Sequence, residues 1–190
     1  MSQPKPPPGS APPGTNPTPS ASPRLSSALV MTPQLQLAIR LLGATPRELA
    51  ALVEHEAAEN PALEFIPAPV DALGDGVIAS VEEGRVMARS LAAVRLAEPT
   101  EGATDDQRKS AEWLVHALEQ RERTVLRVVE ALLERQRDYL NGNRERPVSL
   151  TRRVIAEALG IHESTVTRIV ERKALCCARG VVALTDLLER

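Results

Sequence analysis

The sequence predicts an all-α protein: an N-terminal helical hairpin, a flexible linker, and a long helix or helical pair followed by a helix-turn-helix. Three observations predict this fold. The 190 residues include one Trp, one Tyr and one Phe, so Leu, Val, Ile and Ala must build the core, which favours helices over a sheet. Apolar residues recur at helical spacing in several segments. Thr-Pro pairs precede two of these segments, and Gly or Asn follows them, as at helix starts and ends.

Residues 1–24 form a tail of Pro, Ser, Gly and Thr with almost no large apolar side chain. Such a composition cannot bury enough surface to offset the entropy of ordering, so we predict a disordered tail. The N-terminus lacks the pattern of a secretory signal, and no apolar run is long enough to span a membrane. The only cysteines, Cys176 and Cys177, are adjacent, which fits a reducing cytoplasm.

Residues 25–66 are predicted to form two short helices. Thr32 and Pro33 are typical of an N-cap and first helical position, and Gly43 ends that helix. Thr45 and Glu48 predict a capping box at the start of the second helix, which Asn60-Pro61 ends. The hairpin is apolar on one side and too small to hold a core alone. It therefore docks either on the rest of the chain or on a partner, and its residues leave both open.

Residues 67–106 read as an acidic flexible linker, because Pro, Gly and small acidic residues interrupt them throughout. We expect a short helix between Val81 and Ala97 within this linker. Residues 107–143 form a long helical segment with two apolar stripes, one around Trp113 and one around Val128. The polar residues Glu119 to Thr124 between the stripes are expected to be solvated. They are either a turn or one polar turn of a continuous helix, and the sequence does not decide.

Residues 144–190 are predicted to contain a helix-turn-helix DNA-binding region with Gly160 in the turn. Gly160 can adopt φ > 0, and Ala156 is the small residue where two crossed helices would touch. Further residues expected in the interior are Ile155, Leu159, Ile161, Val166 and Ile169. The polar residues left to face a DNA groove are His162, Glu163, Ser164, Thr167 and Arg168. The alternative is a two-helix hairpin that serves only for packing.

Four arginines precede or open this unit: Arg144, Arg146, Arg152 and Arg153. They are placed to meet phosphates, although a solvated basic loop would have the same composition. Residues 1–106 carry seven Lys or Arg against thirteen Asp or Glu, whereas residues 107–190 carry sixteen against twelve. This asymmetry restricts nucleic-acid contact to the rear half and predicts weak, salt-sensitive binding.

Residues that would indicate an enzyme or a metal site are not found in the sequence. The histidines His55, His116 and His162 lie on different predicted elements, and none is spaced with Cys or a carboxylate as in a metal site. No phosphate-binding loop, dinucleotide fingerprint or nucleophile elbow occurs. We therefore predict no catalytic residue, no metal and no cofactor.

Two stretches resemble the bacterial sigma-54 family of RNA polymerase sigma factors. Residues 29–64, LVMTPQLQLAIRLLGATPRELAALVEHEAAENPALE, are similar to the family's N-terminal regulatory region. Residues 113–180 are similar to its long helix and helix-turn-helix, with HESTVTR and ARG as the most characteristic motifs. The resemblance covers a little over half of the chain and keeps the order of the two regions.

The resemblance implies a transcription factor whose partners are promoter DNA, core RNA polymerase and an ATP-driven activator. In the family, the N-terminal helices block DNA opening until the activator remodels them, and they lie beside the helix-turn-helix at the −12 element. The regulatory residues carried over are Met31, Gln34, Leu35, Gln36, Ile39, Leu41 and Leu42. Those carried over for DNA are His162, Glu163, Ser164, Thr165 and Arg168. A guanidinium can pair bidentately with guanine, so Arg168 is the best candidate for a base contact, whereas Thr165 could instead be internal.

The sequence also departs from the family. We expect the sequence to have little room for the family's core-binding domain and to lack the C-terminal domain that reads the −24 element. We therefore expect a reduced sigma-54-like factor with low polymerase affinity. Two alternatives are an interaction protein that competes for polymerase or activator without binding DNA, and a truncated remnant without function.

Overall fold

A computed structural model describes residues 32–67, 76–82, 85–88, 92–97 and 102–189 of the chain. The helices in this part are α1 (Pro33–Gly43), α2 (Pro46–Glu59), α3 (Asp105–Leu140), α4 (Arg152–Leu159) and α5 (Glu163–Val170). The strands are β1 (Leu63–Pro67), β2 (Val77–Glu82), β3 (Arg85–Ala88), β4 (Ala92–Leu96), β5 (Ala174–Cys177) and β6 (Gly180–Ala183). A 3-10 helix, Leu184–Leu187, follows β6. The predicted tail, residues 1–24, lies outside the described residues.

The helical hairpin is confirmed together with its caps. The Thr32 hydroxyl accepts a hydrogen bond from the backbone N–H of Leu35 at 3.2 Å, and Thr45 and Glu48 form the predicted capping box. At the end of α2, the Asn60 amide donates to the backbone carbonyl of Gln107 at 2.8 Å. This bond ties the hairpin to the start of α3, so the hairpin docks on its own chain.

The long helical segment is one continuous helix, which resolves the alternative that the sequence left open. Thr104 and Gln107 form a capping box at its start, and the helix continues through the polar residues without a turn. At a rise of 1.5 Å per residue, its 36 residues span about 54 Å. The helix α3 is therefore long enough to support two separate hydrophobic clusters.

The first cluster joins the hairpin to the start of α3, and the second surrounds the helix-turn-helix. Buried members of the hairpin cluster are Leu41, Ala44, Leu49, Val53, Ala62, Leu63, Ala111 and Leu114. The larger cluster contains the second half of α3, from Val125 to Leu140, together with Ile155, Ala156, Val166, Ile169, Val170, Leu175, Leu184 and Leu187. Strand β2 contributes Ile78 and Ala79 to this larger cluster, so residues far apart in sequence complete the core of the DNA-binding region.

The fold is not all-α, because the described strands form two sheets. Strands β1 and β4 pair antiparallel, with Phe65 opposite Val94. The second sheet has the order β3-β2-β5-β6. Its central pair, β2 and β5, is parallel and places Ser80 opposite Cys176, whereas the outer pairs are antiparallel. The predicted fold class is therefore correct for the helices and wrong for these strands.

The described residues between 76 and 97 form β2, β3 and β4, so within them the chain is extended and not the short helix expected between Val81 and Ala97. The first three residues of β2, Val77, Ile78 and Ala79, are all buried. A strand buried in this way does not show the alternation that marks a half-exposed strand. Its parallel partner lies almost a hundred residues later, and such a pairing leaves no local periodicity.

One buried side chain, that of Gln136, links three segments of the C-terminal part of the chain by hydrogen bonds. The Gln136 side chain is fully buried, donates to the carbonyls of Val148 and Leu187, and accepts from the N–H of Val148 at 2.7 Å. Gln136 therefore fixes the loop before α4 to both α3 and the 3-10 helix. Among the described residues, no helix is both long and apolar enough to cross a membrane.

Candidate nucleic-acid interface

The helix-turn-helix has the predicted geometry. The Thr151 side chain accepts from the N–H of Val154 and caps α4, and Gly160 ends that helix with φ +65°. The N–H of Ile161 then donates to the carbonyl of Ala156 at 3.0 Å, which closes the turn. The residues predicted to join the two helices, Ile155, Ala156, Val166 and Ile169, are all buried.

The start of α5 carries a connected set of polar side chains. His162 is the N-cap, and its Nδ1 accepts from the backbone N–H of Ser164 at 3.2 Å. The same Nδ1 lies 2.8 Å from the Ser164 hydroxyl, and Arg168 Nη1 lies 3.1 Å from that hydroxyl. A hydroxyl can donate once while accepting, so Ser164 links Arg168 to His162. Three of the five side chains predicted to face DNA are thus positioned by one another.

Arg168 is half-buried, and its Nη1 donates to the Ser164 hydroxyl at 3.1 Å and the Ser164 carbonyl at 3.4 Å. Within the described residues, no carboxylate lies within ion-pair distance of this guanidinium. Among the other candidates on α5, Glu163 is exposed, and Thr165 and Thr167 are half-buried. The Thr167 hydroxyl donates to the carbonyl of Glu163 at 3.1 Å. The exposed polar surface is therefore concentrated at the N-terminal end of α5.

The two arginines at the start of α4 have different surroundings. Arg153 is exposed and pairs with Glu157 at 2.8 Å, and this carboxylate raises the pKa of Arg153. Arg152 is half-buried and donates from Nη1 to the carbonyl of Glu189 at 3.4 Å, whereas its Nε is buried without a partner. Arg144 and Arg146 lie in the exposed loop that precedes α4. Arg153 is consequently more accessible to a phosphate than Arg152.

The regulatory candidates divide into an exposed and a buried group. Gln34, Leu35 and Gln36 are exposed on the first turn of α1, and Ile39 is half-buried. Leu41 is only 1% exposed and belongs to the hairpin cluster, whereas the half-buried Leu42 packs against the cluster around the helix-turn-helix. Leu41 is therefore a core residue, which the resemblance did not distinguish from surface residues. Met31 lies outside the described residues.

The C-terminal end of α1 is bound by two cations that the sequence did not identify as important. Arg121 donates to the carbonyls of Leu41 at 2.7 Å and Ala44 at 3.3 Å. Lys173 Nζ donates to the carbonyls of Leu42 at 3.3 Å and Gly43 at 3.0 Å. The expectation that residues 119–124 are solvated is thus wrong for Arg121, which reaches carbonyls about eighty positions away.

Lys173 also reaches the end of α5. Its ammonium lies 2.8 Å from the carbonyl of Arg168 and 3.5 Å from that of Glu171. Burial, together with the nearby charges of Arg121 and Arg172, lowers the pKa of Lys173 to about 8. A basic residue after a helix end commonly bonds the last carbonyls, and this was the only sequence signal for such a role.

A surface ion pair lies beside this buried contact. Arg172 donates from both terminal nitrogens to the Glu48 carboxylate, at 2.6 and 3.1 Å, and this contact lowers the pKa of Glu48. Arg172 adopts φ +56°, a left-handed conformation that is uncommon for a residue with a side chain. The chain reverses at Arg172, and this reversal directs Lys173 back toward α1 and α5.

The described residues contain no cluster of His, Cys, Asp or Glu arranged to hold a metal ion. The chemistry of the site is instead that of a basic and hydrogen-bonding surface. Its donors are the guanidiniums near α4 and α5 and the amides at the start of α5.

Comparison with known protein families finds one match for the helical hairpin and one for the region that contains α3 and the helix-turn-helix. Residues 22–65 match the family model described as "Sigma-54 factor, Activator interacting domain". Residues 102–190 match the model described as "Sigma-54, DNA binding domain". The first match contains α1, α2 and most of β1, and the second contains α3, the helix-turn-helix and the strands that follow it.

Individual relatives align with part of the chain. An RNA polymerase sigma-54 factor of Xanthomonas euvesicatoria is 42% identical over 87 residues, which are 46% of this chain and 18% of the relative. The factor of Caulobacter vibrioides is 36% identical over 96 residues, 46% of this chain and 19% of the relative. The aligned residues thus span less than a fifth of these curated relatives.

A solved structure of Aquifex aeolicus sigmaN bound to promoter DNA is 26% identical, with a TM-score of 0.45. The similarity covers 65% of this chain and 42% of that one. The two family models, which match more than half of the chain between them, carry the assignment. This chain belongs to the sigma-54 family.

Proposed function

We propose that the chain is a sigma-54-like transcription initiation factor that directs or modulates RNA polymerase at activator-dependent promoters. Its partners would be promoter DNA, core RNA polymerase with reduced affinity, and an ATP-driven sigma-54 activator, and it would have no enzymatic activity. The observation that supports this most directly is the packing of the activator-interacting hairpin against the DNA-binding helix-turn-helix. In one folded body, the end of α1 and the end of α5 bond to the same lysine.

In this proposal α5 enters the major groove of the −12 region with its N-terminal residues at the base edges. His162, Glu163, Ser164 and Thr167 line this end of the helix. Arg168 would release its bonds to Ser164 and present its guanidinium to guanine, a contact that is worth about 1–3 kcal/mol of discrimination. Arg153 and Arg152, at the start of α4, would bind phosphates and set the register of the helix.

The exposed first turn of α1 is the proposed surface for the activator and polymerase. Gln34, Leu35 and Gln36 are accessible there, and Leu35 adds an apolar side chain that is 39% exposed. Ile39 would extend this surface toward the hairpin cluster. Leu41 and Leu42 would act indirectly, because their side chains hold α1 in place.

Arg168→Ala tests the DNA contact. Binding of the full chain to a fork-junction duplex with a −12 element should weaken about tenfold to a hundredfold, with relaxed preference at one base pair. Arg108→Ala is the matched control, because Arg108 is an exposed arginine on the first turn of α3, beside the hairpin cluster. It removes the same charge and should leave binding nearly unchanged.

Equal affinities for the −12 duplex and a scrambled duplex would refute promoter recognition. If the chain nevertheless bound core polymerase or the activator, the result would favour a competitor that acts without DNA. Transcription from an activator-dependent promoter, with core polymerase, activator and ATP, then separates an initiation factor from a modulator.

A further inference from the structure

The loop that leads from α3 into the helix-turn-helix is held at both ends. At its start, the carbonyl of Asp138 accepts from the N–H groups of Asn143 at 2.8 Å and Arg144 at 3.1 Å. At its end, the N–H of Val148 donates to the buried Gln136 side chain at 2.7 Å. The loop therefore follows a defined path between the two helices.

Arg179, in the turn between β5 and β6, reaches this loop and the end of α3. Its Nε donates to the carbonyl of Tyr139, and its Nη2 donates to the carbonyl of Arg144. Its guanidinium carbon also lies 4.5 Å from the centre of the Tyr139 ring, a distance at which a cation is attracted to the ring face. The last carbonyls of a helix carry partial negative charge, so a guanidinium is well placed at this helix end. One side chain thus ties the end of α3 and the middle of the loop to the β5–β6 turn.

The loop carries two basic side chains that are accessible to a ligand. Arg144 and Arg146 are exposed, and within the described residues no carboxylate lies within ion-pair distance of either guanidinium. A guanidinium has the planar set of donors that matches a phosphate group. The carbonyl of Arg144 is bound by Arg179, so the position of Arg179 affects where these two side chains lie.

The loop also lies beside the helix that would cross a phosphate strand. When a helix-turn-helix places its second helix in the major groove, its first helix crosses the DNA backbone. Helix α4 is that first helix, and it begins at Arg152, shortly after Pro147. A basic loop at this end of α4 is therefore next to the strand that Arg153 is proposed to bind.

We propose that residues 141–147 form a second phosphate-binding surface through Arg144 and Arg146, and that Arg179 is the positioning residue that holds this loop against Tyr139. The inference rests on the proposed function, since it presumes that α5 enters a DNA groove. It adds a contact that acts through charge and not through base sequence. It also assigns to Arg179 an effect on DNA binding that does not require Arg179 to touch DNA.

Binding of the full chain to DNA at several salt concentrations tests the surface. Arg144→Gln and Arg146→Gln should each lower the slope of log affinity against log salt by about 0.9, and should weaken binding to the −12 duplex and to a scrambled duplex by the same factor. Arg108→Gln, on the exposed first turn of α3, is the matched control and should leave the slope unchanged. An unchanged slope in both loop variants would overturn the phosphate-binding surface.

A double-mutant cycle tests whether Arg179 acts through the loop. Arg179→Met should lower the slope by about 1–2 in the parent chain, but it should have almost no effect once Arg144 and Arg146 are both replaced by Gln. Tyr139→Leu should act like Arg179→Met, whereas Tyr139→Phe keeps the ring and should act like the parent. Additive losses would mean that Arg179 binds phosphate itself, and they would overturn the positioning role, as would an unchanged slope in Arg179→Met.

Hydrogen–deuterium exchange without DNA gives a readout that does not depend on the proposed function. Arg179→Met should accelerate exchange of the Asn143 and Arg144 amides at least about fivefold, because local opening of the loop becomes easier. Exchange in residues 128–133, inside the larger cluster, should stay within about twofold of the parent. Unchanged exchange in the loop would overturn the positioning role, and so would equal acceleration in both segments, since that would indicate general unfolding.

The promoter function and this inference fail separately. If the slopes change as expected but the parent does not prefer the −12 duplex over the scrambled one, the loop surface stands and promoter recognition fails. If the parent shows a promoter preference that depends on Arg168 and the loop variants keep the parent slope, the loop surface alone fails. If the chain binds neither duplex, both fail.

Discussion

The buried ammonium of Lys173 predicts an unusual dependence of stability on pH. Its pKa is about 8 in the folded chain against 10.5 for an unperturbed lysine. Between these values the folded state has released the proton that the unfolded state still binds. Because the unfolded state binds more protons there, the free energy of unfolding rises with pH. The usual surface lysine contributes no such slope.

The size of the effect follows from the pKa difference. One pKa unit corresponds to about 1.4 kcal/mol, so the full contribution of Lys173 is about 3 kcal/mol between neutral pH and pH above 10.5. About 1 kcal/mol of this gain falls between pH 7 and pH 9. Arg121 and Arg172 keep their charges throughout this range, so they do not add a titration of their own.

Urea unfolding followed by circular dichroism, at pH 7, 8, 9 and 10 under reducing conditions, measures this contribution. The comparison is between the parent and Lys173→Met, because other titrating groups contribute equally to both and cancel in the difference. The stability of the parent relative to the variant should increase by about 1 kcal/mol from pH 7 to pH 9. A difference that is constant, or that decreases with pH, would show that folding does not lower the pKa of Lys173 and would refute the reasoning.

Two further substitutions test the structure of the DNA-binding region by urea or thermal unfolding. Gln136→Leu removes three hydrogen bonds of a fully buried side chain and should lower stability by about 3 kcal/mol. A loss below about 1 kcal/mol would contradict the packing of the loop before α4 against Gln136. Gly160→Ala should cost about 1 kcal/mol because φ is +65° there. Gly43→Ala is its control: it meets no atom within 4 Å and has no positive φ, so it should be neutral or slightly stabilising. Equal effects of the two glycine substitutions would argue against the left-handed turn.

Local features of the fold could be predicted because their partners lie within one helical turn. Thr45 and Glu48 are three residues apart, as a capping box requires. Gly160, Val166 and Ile169 define the helix-turn-helix by their spacing alone. The same argument failed for the strands, since Ser80 pairs with Cys176 and no repeat in the sequence connects these positions.

The candidate site could be predicted from the sequence to a similar extent. The polar residues of α5 were recognised because they remain after the apolar positions are assigned to the core. Leu41 could not be told from Leu35 by resemblance to the family, and burial separates them, at 1% and 39% exposed. Lys173 and Arg121 could not be distinguished from surface cations, because their partners are backbone carbonyls. Every residue has a backbone carbonyl, so such partners leave no pattern in the sequence.

Strand β2 shows that the region between the hairpin and α3 contributes to the folded core. Ile78 and Ala79 belong to the same cluster as Val166 and Ile169, and β2 pairs with β5 directly after the helix-turn-helix. Residues that a composition-based argument assigns to a tether are thus part of the support for α5. The core around the helix-turn-helix therefore includes residues from the region between the hairpin and α3.

The ends of α1 and α5 share one hydrogen-bond donor, so we expect a displacement of either helix to affect the other. A partner that moves α1 must break the bonds from Lys173 to Gly43 and, with them, the arrangement that places the same ammonium on the carbonyl of Arg168. If Arg168 binds DNA as proposed, the bound DNA would restrain the residue whose carbonyl accepts from Lys173. If either event favours one placement of the hairpin, thermodynamic linkage requires that the other event be favoured by the same free energy.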